Sequence, residues 1–594
     1  MAQLANAGCA ALSYHTGMLF RLSAILLIVG SMSVMGCRAP HSAAFSHHRS
    51  SKSAVAMNTL PAGEAEDFGS AIVSTKPDDT NSNLENQIEA HAHYAAGVIH
   101  EMNLEPESAL EDYYNAALLD PTNQALVVDV AQQFLQAKRP EKALDLLIRA
   151  STNASASSGL FAELGFVYFK LGKTNEALAA DRSAIKKDPR SLAGYQSLYL
   201  DYIQTRQIAP LWPLLEEAGK VRHTDAEFLV GLAELYIHLT AEAPEAKARA
   251  NEHAFAVLQR AAKLKPAEVR IQLRLADSFN LLEKSGEAQR WYEAVVKQLA
   301  DTSPQYDSVH AKLADIYLNN HDSKRAAEQL EAIVRDNPTD ARTYYILGGI
   351  ALDDTNYAKA AENFANAILF NPDLEAAYYN LAEAQMGATN SAAAVMTLQR
   401  AHRRFADTFT QEYLFGMAYS QQKDYTNALQ HLTTAEIFAR DSDPKRLTDE
   451  FYFQLGAASE RSGDYERAEK YFESSLKLAP DSPETLNYLG YMWADRDEKL
   501  DRARDYIAKA LKSDPKNAAY LDSMAWVLYK LHQPKPALEY ALKALQYSPE
   551  QDATLFDHLG DIYAALGEKD KAHEAWSKSL ALEPNDAVRK KLVN

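Results

Sequence analysis

The stretch Ala341–Leu374, ARTYYILGGIALDDTNYAKAAENFANAILFNPDL, decides the fold. Leu347 and Gly348 come first, Ala360 follows, then Phe364, Ala367 and a closing Pro372. Apolar residues three and four apart put one buried stripe on each of two helices. Small residues at the eighth (Gly348), twentieth (Ala360) and twenty-seventh (Ala367) positions let the helix axes approach, and the large twenty-fourth (Phe364) fills the space beside them. The same order returns as Leu455, Gly456, Ala468, Phe472, Ser475, Pro480, and as Leu559, Gly560, Tyr563, Ala572, Trp576, Ser579, Pro584. Proline ends the second helix before the next unit begins.

Working outward, Pro338 and Pro372 are 34 residues apart, and Pro480 and Pro515 are 35. A period of this size means a solenoid, in which each unit buries its apolar face only against its neighbours. Fourteen units start near Ala90, Gln124, Ser158, Leu192, Ala226, Val269, Asp307, Ala341, Glu375, Phe409, Asp449, Pro483, Ala518 and Ala553. The pattern resembles the tetratricopeptide repeat. It implies an all-α, right-handed superhelical solenoid of about fourteen tandem helical hairpins, spanning 90–585. Pro210 and Pro213 fall near the start of a second helix, where proline is tolerated. Extra residues around Thr240–Ala250 and Arg440–Thr448 are expected to form loops. The tail 586–594, with Val588 and Leu592, reads as a cap.

Residues 1–37 read as a targeting segment. Arg21 precedes the uncharged, mostly apolar Leu22–Gly36, which is too short to span a bilayer. It ends in Val34-Met35-Gly36-Cys37, which looks like a bacterial lipobox with Cys37 as the lipidated residue. A plain cleaved signal or a short uncleaved anchor are the alternatives. The first 17 residues contain no Lys or Arg, so Met18 competes with Met1 as the translation start. Residues 38–89 shift to Ser, Ala, His, Asn and Pro without apolar periodicity and read as a disordered tether. Its mean reach would be about 35–40 Å. Arg38 after the cysteine favours outer-membrane sorting with the repeats facing the periplasm.

The sequence gives little sign of chemistry. The only cysteines are Cys9 and Cys37, so the repeats contain neither disulfides nor cysteine metal sites. His91, His93 and His100 cluster, but residues two apart on a helix point about 200° apart. His100-Glu101 and His573-Glu574 lack the second histidine of a zinc-peptidase helix. No phosphate loop or nucleophile elbow occurs, and interruptions of the repeats leave no room for a catalytic domain. The expectation is a non-enzyme without metal or cofactor. A formal net charge of −19 disfavours nucleic-acid phosphates.

Binding is where the residues are informative. In the tetratricopeptide family, the second, fifth, sixth and ninth positions of each first helix point into the groove. Here the fifth positions of four consecutive units are Tyr345, Tyr379, Tyr413 and Phe453, an aromatic row suited to an extended peptide. Plain packing between helices is the competing reading. Arg342 and Glu383 would be polar contacts beside the row. The family's chaperone-tail clamp needs lysine at a fifth position, which no unit has; only Arg270 and Arg274 match its last element.

Three runs near the C-terminus are more particular: Asn487-Tyr488-Leu489-Gly490-Tyr491, Asp522-Ser523-Met524-Ala525-Trp526-Val527-Leu528-Tyr529 and Asp557-His558-Leu559-Gly560-Asp561. Together they resemble the end of the long tetratricopeptide lipoproteins of Gram-negative bacteria. That resemblance implies a lipid-anchored scaffold recruiting a periplasmic protease or cell-wall hydrolase. A part of envelope assembly or polysaccharide export is the alternative.

Overall fold

The computed structural model describes residues 79–592. The targeting segment, Cys37 and most of the expected tether lie outside the described residues. The described chain divides into two compact units, 79–321 and 322–592.

The first unit comprises α1 (Asp79–Met102), α2 (Pro106–Leu119), α3 (Gln124–Gln136), α4 (Pro140–Ser151), α5 (Ser158–Lys170), α6 (Thr174–Lys187) and α7 (Leu192–Gln204). It continues with α8 (Leu211–Gly219), α9 (Ala226–Glu242), α10 (Lys247–Lys263), α11 (Val269–Leu281), α12 (Ser285–Val296) and α13 (Tyr306–Asn319). The second comprises α14 (Ser323–Asp336), α15 (Ala341–Asp353), α16 (Tyr357–Phe370), α17 (Glu375–Gly387), α18 (Ser391–His402), α19 (Phe409–Gln421), α20 (Tyr425–Ser442) and α21 (Asp449–Arg461). It continues with α22 (Tyr465–Leu478), α23 (Pro483–Asp495), α24 (Leu500–Ser513), α25 (Ala518–Lys530), α26 (Pro534–Tyr547), α27 (Ala553–Ala565), α28 (Lys569–Leu582) and α29 (Asp586–Lys591). Inside each unit, consecutive helices pack as hairpins, and no strand occurs among the described residues. The expected all-α tandem array is the fold.

Twelve of the fourteen first helices begin on the residue where the repeat period puts them. The turn inside each hairpin repeats too. Its fifteenth position is left-handed, with φ of 58° at Lys138, 57° at Thr355 and 87° at Gly463. The next amide reaches back five residues: Arg139 N to Phe134 O at 2.8 Å, Asn356 N to Ala351 O at 2.8 Å, Asp464 N to Ser459 O at 2.9 Å. This is the Schellman closure, which satisfies carbonyls that the helix end would otherwise leave bare.

The core follows the small-against-large rule. A Cβ built on Gly348 would lie 2.7 Å from the Phe364 ring, and one on Gly456 2.6 Å from Phe472. On Gly560 it would lie 2.4 Å from Trp576. Phe364 and Phe472 are fully buried. The unit from Ser158 breaks the rule with a charge. Asp181 holds the twenty-fourth position beside Gly165, whose Cβ would meet its Oδ1 at 2.0 Å. It is 0% exposed and Asp201 on α7 is 2% exposed. Burial pushes both carboxyls above the ordinary range, and the Asp201 charge adds to the rise at Asp181. Two such neighbours cannot both ionise, so the pair keeps a proton.

Three sequence expectations need correction. The expected tether ran to residue 89, but α1 already begins at Asp79. The expected loop at Thr240–Ala250 is largely helix: α9 and α10 are 17 residues each, and only the 3-10 turn Pro244–Ala246 separates them. The stretch is rich in Ala, Glu and Lys, good helix formers, and proline alone interrupts it. At Arg440–Thr448, α20 likewise runs on to Ser442 before the turn Pro444–Arg446. At the C-terminus, α29 is capped by Asn585 and buries Val588 against Ala572 and Trp576.

Gly456→Ala should cost about 1–3 kcal/mol by overpacking, read as a lower urea midpoint with unchanged slope. A second expectation concerns Asp181. Above about pH 4 the unfolded chain loses protons that the folded pair keeps, so stability falls as pH rises. Asp181→Asn removes the Asp181 share of this loss, leaving the smaller one from buried Asp201. Its melting temperature should therefore gain on the parent between about pH 5 and about pH 8, and a pH-independent gap would contradict the assignment.

Candidate functional site

The aromatic row does not behave as one surface. Tyr345 is buried at 6% exposure, its ring 5.7 Å from Phe364, and Asn380 Nδ2 donates to its hydroxyl at 3.2 Å. Phe453 packs half-buried between Phe472 and Tyr488, at 5.8 and 5.5 Å. Tyr413 is half-buried and stacks on Phe409 at 5.7 Å. Packing explains these three. Tyr379 differs, because it lines an open cavity of about 490 Å3 with Phe409, Thr410, Asp443 and Arg446. Its hydroxyl donates to Glu375 Oε1 at 2.6 Å, and the Arg446 guanidinium sits 5.2 Å from the Phe409 ring centre. Burial and the Glu375 carboxylate both push the Tyr379 hydroxyl above its ordinary value. Arg342 is exposed and Glu383 is half-buried.

Arg270 and Arg274 are already engaged: Arg270 pairs with Glu227 at 2.8 Å and Arg274 with Glu234 at 2.6 Å. In the first hairpin, His93 Nδ1 lies 2.9 Å from Asp112 and His100 Nε2 3.6 Å from it, while His91 Nδ1 lies 2.6 Å from the Gln87 carbonyl.

A denser polar cluster lies in the last three hairpins, on the first-helix positions that the family's groove uses. The fifth positions are Asn487, Asp522 and Asp557; the sixth are Tyr488, Ser523 and His558; the ninth are Tyr491, Trp526 and Asp561. Residues four apart share a helix face, and the 35-residue step carries each position to the matching place on the next first helix. The sequence showed these runs as family-like, and the fifth-, sixth- and ninth-position rule was the signal that could have marked them as a site.

His558 on α27 is 4% exposed, with Nδ1 2.9 Å from Oδ2 and 3.1 Å from Oδ1 of Asp522 on α25. Its ring lies 4.0 Å from the Trp526 ring, 16° from parallel. Burial alone would depress this imidazole, but the Asp522 carboxylate more than offsets it and holds the group above its ordinary value. Tyr488 on α23 donates to Glu460 Oε2 at 3.2 Å and receives from Arg461 Nε at 3.2 Å. Burial raises Tyr488 and Tyr491 well above the ordinary phenol range. From α29, Lys591 Nζ donates to Asp557 at 2.8 Å and Asp561 at 2.7 Å. Burial would lower Lys591, yet the two carboxylates hold it above its ordinary value. The arrangement offers fixed acceptors and aromatic faces to a bound group.

Among the described residues no helix is long and apolar enough to cross a membrane, and no group of three or more His, Cys, Asp or Glu could hold a metal.

Tetratricopeptide-repeat family models match residues 311–378, 453–518 and 553–586, so the chain carries tetratricopeptide repeats. Such repeats are protein-binding scaffolds, and no catalytic family is indicated. The chain is 36% identical over 103 residues to the TPR repeat-containing protein PA4667 of Pseudomonas aeruginosa, covering 17% of each. It is 32% identical over 136 residues to the photosystem I assembly protein Ycf3 of Prochlorococcus marinus, covering 22% of this chain and 66% of the relative. It is 29% identical over 137 residues to the type IV pilus assembly protein PilF of Pseudomonas aeruginosa, covering 23% of this chain and 53% of the relative. Among solved structures, the Cut9-Hcn1 hetero-tetramer of the APC/C aligns over 82% of this chain and 99% of that chain at 14% identity, with a TM-score of 0.35.

The histidine assignment has a direct check. Histidine-labelled protein, assigned by His558→Gln, should show His558 titrating above the ordinary value of about 6.5. In Asp522→Asn its titration should move down, because burial is then opposed only by the Asp557 and Asp561 charges. An unchanged titration would remove Asp522 as the cause.

Proposed function

We propose that this tetratricopeptide array is a lipid-anchored scaffold that holds a protein partner near the outer membrane, facing the periplasm. The partner is a periplasmic protease or a cell-wall hydrolase, and the chain supplies position rather than catalysis. The observation that carries the reading is the concentration of aromatic and charged side chains at the groove positions of successive first helices, at Tyr379 and again from Asn487 to Asp561. The lipobox-like Val34-Met35-Gly36-Cys37 supports the anchor. A tether of about 40 residues would keep a bound partner within a few nanometres of the membrane and raise its effective concentration there.

The names of two relatives, a photosystem I assembly protein and a type IV pilus assembly protein, favour a second reading. In it, the array would serve an envelope assembly or export machine.

Affinity capture of the full chain from membranes, with identification of retained proteins, separates the two. A retained protease or hydrolase, lost from a still-folded Tyr379→Ala variant, supports the first reading and its groove. Retained export or assembly proteins support the second. If the partner persists in Tyr379→Ala, the cavity beside Tyr379 is not the contact. In the same preparations Cys37→Ser should move the chain from the membrane to the soluble fraction. Unchanged fractionation would remove the lipid anchor.

A further inference from the structure

Between α23, α25 and the start of α27 lies a small cavity of about 40 Å3, lined by Asn487, Tyr488, Tyr491, Asp522, Ser523 and Asp552 among others. A single water needs about 10–15 Å3 by this measure, so the space suits one compact head group or two to three waters. Its charged groups are of one sign, Asp522 and Asp552. Asn487 is only 2% exposed, yet its Oδ1 has no hydrogen-bond partner. A buried acceptor is costly to leave unmade, so Asn487 Oδ1 needs a donor from outside the chain.

The rest of the wall points the same way. Asp522 brings a carboxylate whose position is fixed by its two contacts to His558 Nδ1. Asp552 Oδ1 already accepts from the Thr554 amide. Tyr488 and Tyr491 complete the wall with aromatic side chains, a residue type whose rings attract cations. No Lys, Arg or His is among the lining residues, so an anion would find no cation and would face the Asp522 and Asp552 carboxylates, while an apolar group would leave Asn487 Oδ1 unpaired. The chain's net charge of −19 favours approach of a basic segment.

We propose that this cavity receives one cationic side chain, arginine or lysine, from the bound partner segment. The inference rests on the scaffold reading and adds the chemistry by which the last hairpins choose what they hold. The cation would donate to Asn487 Oδ1 and lie against the Asp522 carboxylate and the tyrosine faces. The His558 contact to Asp522 would keep that carboxylate in place whether the cavity is filled or empty.

The test uses the full chain and simple probes, so it needs no partner. N-acetyl-arginine amide, N-acetyl-lysine amide and the neutral isostere N-acetyl-citrulline amide are titrated by calorimetry at physiological salt, which screens surface attraction. At least one cationic probe should bind with a dissociation constant on the order of 1 mM, and the citrulline probe at least about tenfold more weakly. Asn487→Leu should weaken the cationic probe at least about fivefold without lowering the melting temperature, because it removes an unpaired acceptor. Asn487→Asp should tighten it, which keeps the test decisive if the leucine variant misfolds. Equal binding of citrulline, or cation binding unchanged in both variants, would overturn the proposal. The two readings fail separately. Capture without a partner sinks the scaffold role while the titration still reports, and loss of the charge preference leaves a captured partner standing.

Discussion

A small residue, glycine or alanine in all but one unit, pressed against the second helix is the contact on which the array depends. Because Gly348, Gly456 and Gly560 lack a Cβ, the two helices of their hairpins come close enough for Phe364, Phe472 and Trp576 to fill the space between them. Interiors are packed to crystal density, so this distance leaves little slack for neighbouring positions. The small residues at the twentieth and twenty-seventh positions, such as Ala360 and Ala367 at 0% exposure, follow from the same approach. Each hairpin is thereby a fixed block, and stability accumulates from blocks and the faces between neighbours.

That constraint explains what the sequence made legible. The starts of the helices could be placed because the glycine, the large residue and the proline recur at fixed offsets, and few other folds need that combination. The insertions were misjudged for a physical reason. Extra residues between units need not be loop when their composition favours helix, and Ala243–Ala250 extends helices with only Pro244 as a break. The aromatic row was half legible. A fifth-position ring can turn toward the large residue of its own hairpin, as Tyr345 does toward Phe364, and periodicity cannot distinguish that from a ring facing the groove. Tyr379 has no ring at its own twenty-fourth position, where Leu398 sits, and it lines the open cavity instead.

Buried polarity is unevenly distributed. The single aspartate at a large-residue position, Asp181, interrupts the core of the first unit, where a leucine or phenylalanine would pack without a proton. In the last hairpins the polar groups instead satisfy one another: His558 with Asp522, Tyr488 with Glu460 and Arg461, Lys591 with Asp557 and Asp561. Low dielectric strengthens such a network when its members are paired and penalises any left over. Asn487 Oδ1 and the indole nitrogen of Trp526 are among those left over; Asn487 lines the same cavity as Asp522, and Trp526 stacks on His558.

The left-handed turn inside the hairpins has a consequence for how such a chain can change. Among the described left-handed residues only Gly172, Gly463 and Gly567 are glycines; Lys138, Thr355, Thr389 and Lys423 adopt the same conformation with full side chains. The backbone closure, not the residue type, holds the turn, and the side chain there faces water. A gene can therefore copy or delete one 34-residue module whose internal turn closes on its own backbone, whatever residue stands there. Array length becomes a property that lineages can lengthen or shorten like a ruler, while the spacing of its marks stays constant.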